Sequence, residues 1–344
     1  MHLGERVTAR FDGGFSEEMI KHCADHIRDA DIPVEVNGAG LRVALPGVKV
    51  ELARDPSGLF IEINAADAVT LQQTREYLMN LLDHVEPNST ASMVWTGEFR
   101  RNDLPLNFYK AKVCAVRRVA RKFLRVELEC AGTQALKDGE GMHFSLLLSP
   151  EKQTPVWPRL DENGRTVWPN GSDSLHRAVY TFVEFDLDNQ RFTFDVFEHK
   201  GGRTTEWAHN TKFGDVVGVI GPGSGGFPDG EHLLIAGDET ALPAIRRILE
   251  RSDSKRRGEA FVEVESDGDI CKMPRPKGME LNWVIRNKGE SLWDHLFCCS
   301  LPKSDSRFVW VAAEQKLVRR AKSRFRAELG LRQNEGYFAY YWVA

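Results

Sequence analysis

LLIAGDETALPAIRRIL, residues 233–249, reads as an apolar strand, a tight Gly-Asp-Glu-Thr turn and a helix, and it comes after GDVVGVIGPGSGG at 214–226. A strand that opens into a helix through a glycine turn leaves unpaired backbone N–H groups beside the positive end of the helix dipole, which suits a dinucleotide pyrophosphate. No G-x-G-x-x-G fingerprint accompanies it, so the turn alone does not specify a nucleotide. Further on, EAFVEVES, ELNWVIRN and FVWVAAE alternate with helical stretches at 241–252, about 290–299 and 314–329. That alternation predicts a parallel-sheet α/β domain over 229–344. Ligands of such sheets bind beyond the carboxyl ends of the strands, here Gly237 to Ala241, Glu265 to Asp267, Arg286 to Lys288 and Ala312 to Glu314.

Upstream, from about Pro105, β signals are dense. KAKVCAVRRVARKFLRVELEC gives two strands around a basic turn, followed by GMHFSLLL, YTFVEFD, RFTFDVFEH and FGDVVGVIG. Six strands at this spacing predict a small antiparallel barrel over 105–228. One irregular excursion, from Ser149 to His176, is rich in Trp, Pro and Gly and longer than compact domains usually hold without a purpose. Residues 1–95 read as a separate small α+β unit. Ser16, Glu17 and Glu18 start a helix whose Met19, Ile20, Cys23, Ala24 and Ile27 share one face. Short strands PVEVN, LRVAL, VKVELA and LFIEIN follow, then a second helix from about Asp67 to His84. EPNSTAS at 86–92 is a polar, turn-rich linker.

With 344 residues, 42% of them hydrophobic and 28% charged, the chain has material for two or three domains with their own cores. A formal net charge of −4 argues against a nucleic-acid partner. No apolar run reaches membrane-span length and the first residues lack a signal peptide's apolar core, so no membrane contact and a cytoplasmic location are expected. The six cysteines show no C-x-x-C spacing for zinc or an iron–sulfur cluster, and Cys298-Cys299 reads as a pair of buried thiols. His22 and His26 stand at i and i+4 beside Cys23 on the first helix, a spacing that can hold a metal, but no metal ligands are assigned.

In their order, Tyr180-Thr181 at the start of YTFVEFD, FTFDVFEHKGGRTTEWA at 192–208, the Gly214-Asp215-x-Val217-Gly218 run and GDETALPAI at 237–245 resemble the siderophore-interacting protein family. These are FAD-containing ferric-siderophore reductases related to the ferredoxin reductases. The resemblance spans about 106 to 344, and residues 1–95 resemble an accessory domain of unassigned function that some members carry.

The family's flavin strand is Arg-x-Tyr-Thr, its arginine on the pyrophosphate and its tyrosine on the isoalloxazine. Here Arg177 stands one residue too early and, by strand alternation, turns away from Tyr180; a β-bulge would restore it, and otherwise Ala178 fills its place. Asp195, His199, Gly202, Thr205, Trp207 and Ala208 match the family's second flavin motif, in which a glycine turn and Thr204-Thr205 at a helix start offer donors to a phosphate. Arg203 is a candidate to replace the displaced arginine. By the same resemblance the last domain takes NADPH or NADH, with Gly237, Asp238, Glu239, Thr240 and Ala241 at the dinucleotide, Glu314 near the nicotinamide, and Arg286 and Lys288 as candidates for a 2′-phosphate.

Tyr341 and Trp342 match the family's tail, where Val343 replaces a basic residue. Arg118, Arg121, Lys122 and Arg125, with Arg319, Arg320, Lys322, Arg324 and Arg326, offer a basic rim for an anionic ferric chelate. The implied protein is a monomeric flavoenzyme that reduces ferric siderophore and releases ferrous iron, without a catalytic side chain because the flavin carries the chemistry. Two other readings stay open. One is a flavin reductase with a different electron acceptor, and the other is a chelate-binding protein without flavin.

Overall fold

The computed structural model describes residues 3–12, 15–30, 32–87, 89–139, 141–150, 154–223, 225–304 and 306–344, apart from the side chains of Asp55 and Ser92. Asn88 of the expected linker, 151–153 of the excursion and Ser224 of the glycine run lie outside the described residues. The chain divides into two units, one of residues 1–108 with 150–174, the other of 109–149 with 175–344.

In the first unit, alternation of apolar and polar residues builds a six-stranded antiparallel sheet from β1 (Glu5–Phe11), β2 (Glu35–Asn37), β3 (Gly40–Leu45), β4 (Val48–Asp55), β5 (Gly58–Ala65) and β6 (Val94–Gly97), in the order β2-β3-β4-β5-β1-β6. Ser16 caps helix α1 (Glu17–Asp29) by accepting the Met19 N–H, and Asp67 caps α2 (Ala68–Val85). The helices bury Ile20, Cys23, Ile27, Leu78 and Leu82 with Val7, Ile61 and Ile63 of the sheet. Strands β1 and β6 extend the expected helix–meander–helix plan. Segment 86–92 is not a free tether, because Ser89 and Thr90 are buried and the Asp83 carboxylate accepts the Thr90 N–H at 3.0 Å. The excursion belongs to this unit as well. Arg75 lies over the rings of Trp95 and Phe99, 4.4 and 3.8 Å from their centroids, and donates to the Asn163 carbonyl at 2.6 Å.

In the second unit, β7 (Phe108–Ala120), β8 (Phe123–Cys130), β9 (His143–Leu148), β10 (His176–Asp186), β11 (Arg191–Phe197) and β12 (Val216–Gly223) close into the expected barrel, in the order β10-β11-β8-β7-β12-β9. Val126, Leu128, Phe144, Leu146, Phe182, Phe192 and Phe194 fill it. Beyond it, β13 (His232–Gly237), β14 (Arg257–Val264), β15 (Gly278–Ile285), β16 (Arg307–Glu314) and β17 (Gly336–Trp342) form an all-parallel sheet ordered β15-β14-β13-β16-β17. The helix Leu242–Arg251 packs Ala244, Ile245 and Ile248 against Ile235, Val262 and Trp310 on one face. The helices Leu292–Cys298 and Gln315–Ser323 pack Leu296, Val318 and Ala321 against Leu234 and Val311 on the other. Both faces of the sheet are thereby covered, as parallel sheets require.

Candidate active site

Strand β10 pairs with β9 in unbroken register from His176 opposite Leu148 to Thr181 opposite His143, and the irregularity lies further on, against β11 between Phe182 and Phe185. No bulge separates Arg177 from Tyr180, so the two face opposite sides of the strand and Ala178 stands where the family's arginine would be. The Tyr180 ring packs 5.0 Å from Phe194 and 6.5 Å from Phe144, and burial pushes its hydroxyl up to about 12. Behind it, the buried Thr204 hydroxyl lies 3.1 Å from His176 Nε2 and hydrogen-bonds Tyr180.

The sequence reading passed over His143, at the start of β9. Its Nδ1 lies 3.1 Å from Thr181 Oγ1 and its Nε2 3.0 Å from the Tyr341 hydroxyl, which ties the flavin strand to the chain's last strand. Burial, reinforced by the charge of Arg247, lowers its pKa to about 4. A neutral imidazole offers one donor and one acceptor, so the two hydroxyls on either side satisfy both ring nitrogens.

These residues border a cleft of about 560 Å³ between the barrel and the end of the parallel sheet, inside the usual range for small-molecule sites. Tyr180, Thr181 and His199 line it from the barrel, and Thr240, Tyr341 and Trp342 from the sheet. Arg177 and Asp195 line it too, and the buried Arg125 grips the Asp195 carboxylate at 2.7 and 2.9 Å.

Several residues expected at the cofactors also have a packing role. Gly202 gives room to His199, whose ring a Cβ there would meet at 2.7 Å, and Thr205 Oγ1 accepts the His199 N–H at 3.4 Å. Trp207 packs on the barrel core beside the buried Ala208. Gly202, Thr204, Thr205 and Trp207 therefore help to hold His199 and Tyr180 in place. Gly237 lets strand and helix approach, since a Cβ would meet Ala241 Cβ at 2.6 Å and the Ala312 carbonyl at 2.7 Å. The buried Asp238 accepts the Thr240 N–H at 2.9 Å and the Trp342 indole N–H at 2.7 Å, and burial raises its pKa.

Glu239 is buried against Arg286, which also reaches Glu263 at 2.9 Å, while Lys288 pairs with Asp267 at 2.6 Å. Arg286 and Lys288, the candidates for a 2′-phosphate, are thus each paired with carboxylates. Glu314 caps the helix Gln315–Ser323 by accepting the N–H groups of Lys316 and Leu317 at 2.7 and 3.2 Å.

At least seven of the nine residues of the expected basic rim have partners within the protein. Arg118 pairs with Glu198, Arg121 with Asp269, Lys122 with Glu265, and Arg125 with Asp195 and Glu184. Arg324 pairs with Glu328, Arg320 stacks on Trp293, and Arg326 donates to the carbonyls of Gln333 and Gly336.

A closed antiparallel barrel joined to a parallel sheet, with an aromatic cleft where they meet, is the architecture that carries the candidate site. Residues 112–226 match the profile of the siderophore-interacting FAD-binding domain, and 230–344 match that of the siderophore-interacting protein. The NADPH-dependent ferric-chelate reductase of Escherichia coli K12 is 31% identical over 66% of this chain and 89% of its own length. The ferric vibriobactin reductase ViuB of Vibrio cholerae is 25% identical over 65% of this chain and 85% of its own. Among solved structures, a siderophore utilization protein from T. fusca superposes with a TM-score of 0.60 at 26% identity, covering 71% of this chain and 95% of that one. The chain belongs to the siderophore-interacting protein family.

Proposed function

We propose that the chain is an NAD(P)H-dependent flavin reductase of ferric siderophores, working as a cytoplasmic monomer and releasing ferrous iron. The observation that carries this reading is the cleft in which Tyr180, Thr181 and His199 of the barrel meet Thr240, Tyr341 and Trp342 of the parallel sheet. Its chemistry fits a flavin: aromatic walls for a planar ring, hydroxyls for its polar edge, and an Asp195 charge already balanced by Arg125.

FAD held in this cleft would supply hydride acceptance from reduced nicotinamide and one-electron transfer to an acceptor. The protein supplies position. Tyr180 provides a ring face with a protonated hydroxyl, and Thr181, His143 and Tyr341 fix the polar side in one hydrogen-bonded chain. Trp342, held by Asp238, forms the wall from the sheet. With Ala178 in the arginine's place, Arg203 and the N–H groups of the glycine turn are the donors proposed for the pyrophosphate.

The test is the visible spectrum of purified protein after incubation with FAD and desalting, followed by anaerobic addition of NADPH and a ferric siderophore with a ferrous-iron trap. Retained flavin bands, their bleaching by NADPH and trapped ferrous iron are expected. Bleaching without ferrous iron from any ferric chelate would point to a different acceptor. A colourless protein that keeps no FAD would overturn the reading in favour of chelate binding without flavin. Arg203→Glu is expected to weaken FAD binding tenfold or more, and unchanged affinity would remove Arg203 from the site.

A further inference from the structure

In the first unit, His22 and His26 of α1 meet His84 of α2, and one ring nitrogen from each lies within 4.8 Å of the other two. The Nε2 atoms of His22 and His26 are 3.0 Å apart, and the His84 ring stands edge-on to His26 with centroids 4.7 Å apart. The sequence offered only the i, i+4 pair, and the fold supplies the third imidazole from 58 positions beyond His26. We propose that His22, His26 and His84 form a site for a borderline divalent first-row cation such as Zn²⁺, with solvent completing its coordination.

Three imidazoles and an open fourth place are an established donor set for such ions. Nitrogens each about 2.0–2.1 Å from one tetrahedral ion stand about 3.3 Å apart. The His22–His26 separation is already close to that, and His84, an exposed side chain, closes the remainder by turning about its own bonds. The ligands sit on packed helices, which limits the entropy lost on binding. His26 and His84 both lie in the last turn of their helices, where the dipole's negative end favours a cation. Cys23, on the same helix, is buried in the core with Ile20, Ala24 and Ile27, which leaves the metal to the imidazoles.

The experiment is calorimetric titration of the full chain, freed of any histidine tag and stripped by chelator, with Zn²⁺, alongside Co²⁺ titration followed by its visible d–d bands. One Zn²⁺ per chain, tetrahedral Co²⁺ bands, and a thermal midpoint that rises with Zn²⁺ are expected. His84→Ala should lower Zn²⁺ affinity at least tenfold, and a triple His22→Ala, His26→Ala, His84→Ala variant should lose the bands and the midpoint rise. The proposal is overturned if the unaltered chain binds no more Zn²⁺ than the triple variant, or if His84→Ala binds as tightly as the unaltered chain. Far-ultraviolet circular dichroism and FAD retention, which a metal site in this unit does not govern, report whether each variant is folded.

Discussion

Tyr180 separates two uses of one side chain. Its ring lies in the aromatic cluster with Phe194 and Phe144 while also lining the cleft, so truncation removes a ring face from the cleft and phenylalanine keeps it. Tyr180→Ala is expected to weaken FAD binding at least tenfold and Tyr180→Phe by less than threefold, as read from flavin fluorescence titrations. His143 makes a second prediction. Its pKa is about 4 in the folded protein because burial disfavours the imidazolium, whereas an unfolded histidine titrates near 6.5. Between those values the unfolded chain binds more protons, so stability is full above the window and falls as pH drops through it, by on the order of 3 kcal/mol. Urea midpoints measured from pH 7 to 4 should fall more steeply for the unaltered chain than for His143→Gln. Tyr180 and Thr181 were legible because a motif names them. His143 was not, since a single histidine opening GMHFSLLL acquires meaning only when the barrel sets Thr181 beside it and the last strand brings Tyr341.

Alternation and turn chemistry made the elements legible, but not which way their polar side chains point. The displaced Arg177 could be read from strand period alone, and the unbroken pairing of β10 with β9 keeps it out of step with Tyr180 although it borders the same cleft. The strand-turn-helix at 233–249 was equally plain, yet the resemblance assigned Asp238 and Glu239 to a ligand. Trp342 and Arg286, about 104 and 47 positions away in sequence, turn those carboxylates inward, and no local signal encodes partners so distant. Strand β6 was missed because it has four residues and pairs with β1 only after the chain has passed through both helices, and β1 because its partner β5 lies beyond the first helix and the meander. The turn itself gives a prediction. A methyl at Gly237 would press on the Ala312 carbonyl and Ala241 Cβ, both fixed by packing, so Gly237→Ala should destabilise by about 1–3 kcal/mol. Urea unfolding in the absence and presence of NADPH checks this, with the loss expected in both.

Within the unit of 109–149 and 175–344, two kinds of contact join barrel to sheet, and their surroundings decide which matters. Arg121 and Lys122 on the barrel turn pair with Asp269 and Glu265 of the sheet domain, but Arg121 is half-exposed and such pairs are weakened by water, side-chain entropy and salt. Arg247, from the helix of the GDETALPAI segment, is buried, donates to the Phe182 carbonyl at 2.6 Å and lies beside the Phe185 and Phe227 rings. Removing it strands a barrel carbonyl without its donor and leaves a void in a packed junction, two costs that solvent cannot relieve. Arg247→Ala is therefore expected to lower unfolding stability by about 2–4 kcal/mol, whereas Arg121→Ala should leave the urea midpoint nearly unchanged and reduce its dependence on salt. Because Arg247 also contributes to the low pKa of His143, its loss should raise that pKa and shift the acid-destabilisation window upward. Equal losses from the two substitutions would mean that the exposed pairs, and not the buried arginine, hold the flavin barrel against the parallel sheet.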